Sequence, residues 1–199
     1  EKRGKTVVLL TDGQRALILF AVADTIKNSS VIAIKALRSL DIETVMLTGD
    51  NARTARAIAR QVGINEALGD QLPEDKLHVI EGYIREGRFV GMVGDGINDA
   101  PALARADIGF AMGAAGTDTA IETADVALMD DNLRKIPTFV RLSRATAQVL
   151  MQNIVLALGI KAVFLVLTFT GQATMWMAVF ADMGASLLVV GNGLRLLRK

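Results

Sequence analysis

The stretch Val93-Gly94-Asp95-Gly96-Ile97-Asn98-Asp99 sets two carboxylates four residues apart around a tight glycine turn. Magnesium takes oxygen ligands in a small octahedral shell, usually one or two carboxylates completed by water and phosphate. Asp95 at a strand end and Asp99 at the start of the next helix could both face one such ion. A bare Gly-Asp-Gly serves equally well as a solvated turn; the full seven-residue string favours the metal reading. Leu47-Thr48-Gly49-Asp50 offers a hydroxyl and backbone N–H groups where a strand runs into a helix, which suits a phosphate oxygen. Alone, Thr48-Gly49-Asp50 is a common tripeptide and a structural turn accounts for it. Lys76 falls in the first turn of a helix, where a cation opposes the helix dipole. A lysine there is ordinarily just surface; aimed into the site, its compact ammonium would neutralise a phosphoryl group. The chemistry these residues could share is magnesium-assisted phosphoryl transfer.

A second constellation sits in apolar surroundings. Residues 149–170 carry one charge, Lys161, and residues 174–194 carry one charge, Asp182. Each stretch approaches the ~20 residues a helix needs to cross a bilayer. Only Gly171-Gln172-Ala173 separates them, so the two helices must form an antiparallel hairpin. At about 1.5 Å per residue, Lys161 and Asp182 each lie roughly 12–14 Å from the turn, at one depth near the membrane centre. A lone charge there costs ~3 kcal/mol or more. The pair is open to two readings: a structural ion pair, or a cation site in which Asp182 gives an oxygen ligand and Lys161 serves as counter-ion when the site empties.

The elements that must position these groups follow from periodicity. Short apolar runs at 6–10, 43–47, 66–70, 89–93, 108–112 and 126–129 read as strands. Helical stretches are expected from Ser30, from 51 to Val62 with Gly63 as stop signal, from Pro73 to about Glu86, over roughly 99–105 and from Thr117. Asn132 can cap the helix that runs towards the membrane. Strands alternating with such crossovers predict a parallel, doubly wound sheet. In that architecture chemistry gathers at the carboxyl ends of strands, where Thr48 and Asp95 fall.

Composition narrows the alternatives. The chain has 199 residues, 51% hydrophobic, with formal net charge +1 and mean hydropathy +0.38. Residues 1–148 hold 18 basic and 20 acidic side chains, and no basic face points to nucleic acid. Without cysteine there is no disulfide, thiolate metal site or cysteine nucleophile, and the single histidine, His78, excludes a multi-histidine cluster within the chain. The N-terminus lacks both a signal-peptide pattern and an initiator methionine, so the chain is expected to be part of something longer.

Taken together, Thr48, Lys76 and the paired-aspartate loop resemble, in order and type, the haloacid-dehalogenase-like phosphotransfer site. MLTGDN (Met46–Asn51) and VGDGINDAPAL (Val93–Leu103) resemble the hinge motifs of P-type ATPases. The resemblance implies phosphoryl contacts from Thr48, Gly49, Asp50, Lys76 and Asn98, magnesium at Asp95 and Asp99, and ATP as donor. One departure matters: the family's nucleophile is the first residue of an Asp-Lys-Thr-Gly-Thr string, which this chain lacks, and Asp12 in Thr11-Asp12-Gly13-Gln14 is no substitute. The chain alone is therefore expected not to turn over ATP. The missing strand would lie centrally, so the sheet is expected to be incomplete.

Asp182-Met183-Gly184-Ala185-Ser186 together with Lys161 resembles the zinc/cadmium/lead branch of heavy-metal P-type ATPases. Met183 and Ser186 loosely match the copper branch, which stays as an alternative, as does a non-catalytic membrane-tethered remnant. The resemblance implies residues 1–13 as the end of a nucleotide-binding domain, 14–146 as a phosphorylation domain without its nucleophile strand, and 147–199 as a transmembrane hairpin. The partners it implies are the lipid bilayer and the rest of the pump: the actuator, the remaining nucleotide-binding domain and the other transmembrane helices. Basic residues cluster before the first helix (Arg134, Lys135, Arg141, Arg144) and after the second (Arg195, Arg198, Lys199), with none in the turn. The positive-inside rule then places both ends in the cytosol and the turn outside the cell membrane.

Overall fold

The computed structural model describes residues 6–13, 15–22, 26–94, 97–113, 122–130 and 132–198. Asp95 and the helix expected from Thr117 lie outside them. The chain divides into two compact units, Glu1–Pro137 and Thr138–Lys199.

In the first unit, β1 (Thr6–Thr11) and β2 (Ala16–Val22) form an antiparallel hairpin. Its turn is held by the Arg15 N–H donating to the Asp12 carboxylate at 2.7 Å. There follow α1 (Asn28–Arg38), β3 (Val45–Leu47), α2 (Ala52–Val62), β4 (Glu66–Leu68), α3 (Pro73–Arg85), β5 (Gly91–Gly94), a 3-10 turn (Ile97–Asp99), α4 (Ala100–Arg105), β6 (Ile108–Met112) and β7 (Val126–Leu128). Strands β3 and β4 pair in parallel, and β5, β6 and β7 form a second parallel sheet in that order. The expected parallel α/β architecture is present, and so is the expected break. Among the described residues, β3 bonds only to β4 and β5 only to β6. The break falls between the two strands that end at Leu47 and Gly94, next to Thr48 and the paired-aspartate loop.

Side chains bridge what the backbone does not. Ile80 of α3, Met92 of β5, Leu103 of α4 and Ala111 of β6 form one buried cluster, and Leu47 of β3 packs against it. Leu37, Phe110, Leu128 and Ile136 form a second cluster. At the amino ends of the strands, the Asp107 carboxylate accepts the Val90 N–H and the Asp125 carboxylate accepts the Gly109 N–H, each at 2.8 Å. This explains why β5 starts at Gly91 rather than at Phe89. The Val90 amide is satisfied by a side chain instead of the ladder, and Phe89 is left 80% exposed.

Helix limits follow local signals. Asn51 accepts the Thr54 N–H at 3.0 Å, and Gly63 closes α2 in the left-handed region at φ +86°. Pro73 opens α3, and the Leu72 N–H donates to the Asp75 carboxylate at 3.0 Å. At its far end Tyr83 donates to Glu66 at 3.4 Å. Burial, reinforced by the Glu66 carboxylate, pushes that phenol above its ordinary range.

The second unit consists mainly of α5 (Lys135–Phe169), whose first residues belong to the other unit, and α6 (Met175–Leu194), with a 3-10 turn at Arg195–Arg198. Both helices are long and apolar enough to cross a membrane. Helix α5 begins well before residue 149, because hydropathy marks only its apolar portion. Its 35 residues extend about 52 Å, beyond the ~30 Å hydrocarbon thickness. Gly171, at φ +72°, turns the chain, and Thr174 caps α6 by accepting the Met177 N–H at 3.3 Å. Ile160 and Phe164 of α5 and Ala181, Gly184, Ala185 and Leu188 of α6 line one open groove between the two helices.

Candidate functional site

Thr48 leaves β3 at its carboxyl end, its own N–H donating to Leu68 O at 3.0 Å. Its hydroxyl accepts the Asp50 N–H at 3.1 Å, folding Thr48-Gly49-Asp50 into a tight turn. Thr48 is half-buried, while Gly49 and Asp50 are exposed. The segment after β4 wraps this turn. The Asp70 N–H donates to Asp50 O at 2.7 Å and the Gln71 N–H to Thr48 O at 3.0 Å. The same segment leads directly into α3, which presents Lys76 from its first turn.

Lys76 does point inward. Its Nζ lies 2.7 Å from Asp99 Oδ1, and both side chains are 13% exposed. Asp99 closes the 3-10 turn and lies flat on Gly94; a Cβ at Gly94 would fall 2.6 Å from Asp99 Cβ. A glycine before the aspartate loop is therefore required sterically: any side chain would push Asp99 off its seat. Asn98 is exposed beside it. Thr48, Lys76 and Asp99 are thus carried by one continuous path, from β3 through the 69–76 segment to the 3-10 turn. Asp95 directly follows Gly94 in sequence.

The sequence reading missed Asp70. It stands in the left-handed region at φ +56°, and its carboxylate accepts the Ala52 N–H at 3.1 Å. The first turn of α2 is thereby satisfied internally, by Asp70 at Ala52 and by Asn51 at Thr54. The available signal was weak: Gly-Asp after a short strand marks a turn, but its hydrogen-bond partner lies 18 residues away.

In the membrane hairpin, no ion pair or hydrogen bond joins Lys161 to Asp182 among the described residues, and both are exposed. Each follows a residue that lines the groove between the helices, Ile160 or Ala181, by one position. A step of one residue turns about 100°, which in antiparallel helices carries both groups to the same side of the hairpin. The sequence reading also missed a polar clasp. Asn192 Nδ2 donates to Asn153 Oδ1 at 2.9 Å and to Gln152 Oε1 at 3.3 Å, and Arg195 donates to Asn192 Oδ1 at 2.9 Å. Counting from the clasp, Lys161 lies about 12 Å and Asp182 about 15 Å towards the turn, so their depths agree within roughly 3 Å. Trp176, near the start of α6, is 73% exposed, and His78 lies on the outer face of α3.

A parallel α/β core carries Thr48 just beyond β3 and the Lys76–Asp99 pair just beyond β5. The chain belongs to the haloacid dehalogenase-like hydrolase family, whose profile matches residues 1–107. Over almost its whole length it is also similar to heavy-metal transporting P-type ATPases. A probable cadmium-transporting ATPase of Listeria monocytogenes is 54% identical over 98% of this chain and 28% of its own length. A cadmium, zinc and cobalt-transporting ATPase of Bacillus subtilis is 44% identical over 100% of this chain and 29% of its own. The crystal structure of a zinc-transporting PIB-type ATPase in its E2.Pi state superposes with a TM-score of 0.89 at 46% identity, covering 98% of this chain and 32% of that one. The chain thus spans less than a third of each of these three proteins.

Proposed function

We propose that this chain is the phosphoryl-handling and terminal membrane segment of an ATP-driven exporter of divalent heavy metals, zinc, cadmium or lead. The observation that carries the reading is the inward-facing Lys76–Asp99 pair at 2.7 Å, seated on Gly94 beside the Thr48 turn. The likeness to cadmium- and zinc-transporting ATPases supports the cargo.

In this reading Thr48 Oγ1 and the Gly49 N–H contact phosphoryl oxygens, with Asp50 shaping the turn and Asn98 at its rim. Lys76 neutralises charge on the phosphoryl group and exchanges its bond to Asp99 for one to a phosphoryl oxygen. Asp99, released by that exchange, and Asp95 are the hard oxygen donors that suit magnesium. The donor chemistry fits once Lys76 has let go: a half-buried carboxylate held on a glycine seat is a hard oxygen donor of the kind a magnesium shell of one or two carboxylates uses. Magnesium bound there would stabilise charge on the transferring phosphoryl group. The phosphoryl acceptor is supplied by another part of the pump, because no Asp-Lys-Thr-Gly-Thr string occurs here. In this reading 1–13 end the nucleotide-binding domain, 14–146 handle phosphate and 147–199 span the membrane, with the β1–β2 hairpin carrying the chain across the first boundary.

Asp182 gives the transported ion an oxygen ligand on the side of the hairpin it shares with Lys161, and Lys161 balances it when the ion leaves. The basic residues at both ends of the hairpin favour cytosolic ends and an external turn. The test is a complete pump containing this segment. Asp182→Ala is expected to abolish zinc- and cadmium-stimulated ATPase activity while phosphorylation from inorganic phosphate persists. Asp95→Ala is expected to abolish phosphoenzyme formation from ATP. Normal metal stimulation in the first, or normal phosphoenzyme in the second, would overturn the corresponding assignment.

A further inference from the structure

The Thr48 turn is braced by a residue that belongs to neither the nucleotide-facing motif nor the lysine helix. Three independent features converge on Asp70. Its carboxylate takes the first free N–H of α2, at Ala52, 3.1 Å away. Its own N–H holds Asp50 O at 2.7 Å. Its backbone is left-handed at φ +56°, a conformation few residues other than glycine, asparagine and aspartate adopt readily. The approach is made possible by Gly69: a Cβ there would fall 2.5 Å from Ala52 Cα and 2.7 Å from Asp50 O. The backbone of the 69–72 segment therefore lies directly on the turn that ends β3, with no side chain between.

We infer that Asp70 is a positioning residue of the phosphoryl site: its carboxylate and left-handed backbone hold the Thr48–Asp50 turn against the start of α2 without touching the phosphoryl group. This rests on the phosphoryl-site reading given above. The carboxylate also answers the positive end of the α2 dipole. The anion-binding duty is thereby moved off that helix and onto Thr48 Oγ1, the Gly49 N–H and Lys76. A second consequence is mechanical. The segment that Asp70 anchors leads into α3, so the position of Lys76 relative to Thr48 is set by the same bonds.

The experiment uses the complete pump containing this segment, with orthovanadate as the phosphoryl mimic and the half-inhibitory concentration as readout, beside the half-saturating zinc concentration. Asp70→Asn keeps an acceptor oxygen and tolerates the left-handed backbone; it is expected to stay within about twofold of the parent. Asp70→Gly keeps the backbone but loses the cap, and Asp70→Ala loses both. Each is expected to raise half-inhibitory vanadate by about five- to tenfold, the size of a lost helix cap, with half-saturating zinc unchanged. Thr48→Ala separates the two levels. If vanadate inhibition is unaltered in Thr48→Ala, the phosphoryl-site reading fails. If Thr48→Ala is impaired while the glycine variant is normal, only the role of Asp70 fails. An asparagine variant as poor as alanine overturns the inference by pointing to net charge rather than to the cap. Loss of both the glycine and alanine pumps from the membrane also overturns it, by making Asp70 a folding determinant.

Discussion

Replacing Asp99 by asparagine in a complete pump removes one charge from an almost isosteric side chain and leaves Lys76 without its counter-charge. The Nζ–Oδ1 distance of 2.7 Å corresponds to about 6 kcal/mol of Coulomb attraction at an effective dielectric of ~20. Most of that offsets the cost of removing both ions from water. Breaking one side of a buried pair costs ~3–5 kcal/mol. With each side chain 13% exposed, residual hydration of Lys76 brings the expected loss of stability to about 2–3 kcal/mol. The functional loss is separate: one carboxylate fewer for magnesium is expected to raise the concentration that half-saturates phosphoenzyme formation by about 100-fold, or ~2.7 kcal/mol. The assay is acid-stable phosphoenzyme from labelled ATP across a magnesium titration, run beside thermal denaturation. The Lys76→Met/Asp99→Asn double variant separates the two effects. Stability should recover by about 1–3 kcal/mol, since the unpaired ammonium is gone, whereas phosphorylation should not recover. Unaltered magnesium dependence in Asp99→Asn, or phosphorylation restored in the double variant, would refute the reasoning.

The chain expressed by itself is expected to form no acid-stable phosphoenzyme with ATP and magnesium, because it carries no Asp-Lys-Thr-Gly-Thr string; labelled protein on an acid gel would contradict this. The charge swap Lys161→Asp with Asp182→Lys is expected to leave zinc-stimulated ATPase activity lost, since the ligand moves to the other helix; full recovery would favour a purely structural pair. Asn192→Leu removes the donor shared by Asn153 and Gln152 and is expected to lower the stability of the membrane hairpin by about 0.5–2 kcal/mol. Thermal unfolding in detergent measures it, and an unchanged midpoint would show that the clasp carries no net stability.

Much of the first unit was legible because its signals are local. Asn51 and Gly63 bound α2 through contacts within one turn of the helix, and Pro73 with Asp75 opens α3 in the same way. Strand starts were less legible. The shift of β5 to Gly91 comes from Asp107, 17 residues from the amide it satisfies, and nothing near Phe89 announces it. The lower limit of the first membrane helix was unreadable for a different reason. Hydropathy reports where lipid contact begins, while hydrogen bonding carries α5 back to Lys135.

By itself the sequence determined the chemistry available: a hydroxyl, an ammonium and paired carboxylates at strand ends, and two opposite charges at one depth in apolar helices. Residue type and rise per residue suffice for that, since neither depends on what packs against what. The tertiary structure alone decided that Lys76 reaches Asp99, that Asp70 braces the Thr48 turn, and that Lys161 and Asp182 share a side of the hairpin without meeting. These are matters of rotation and long-range closure. A helix turns about 100° per residue, so depth follows from counting, but facing is set by which residues line the groove between the helices.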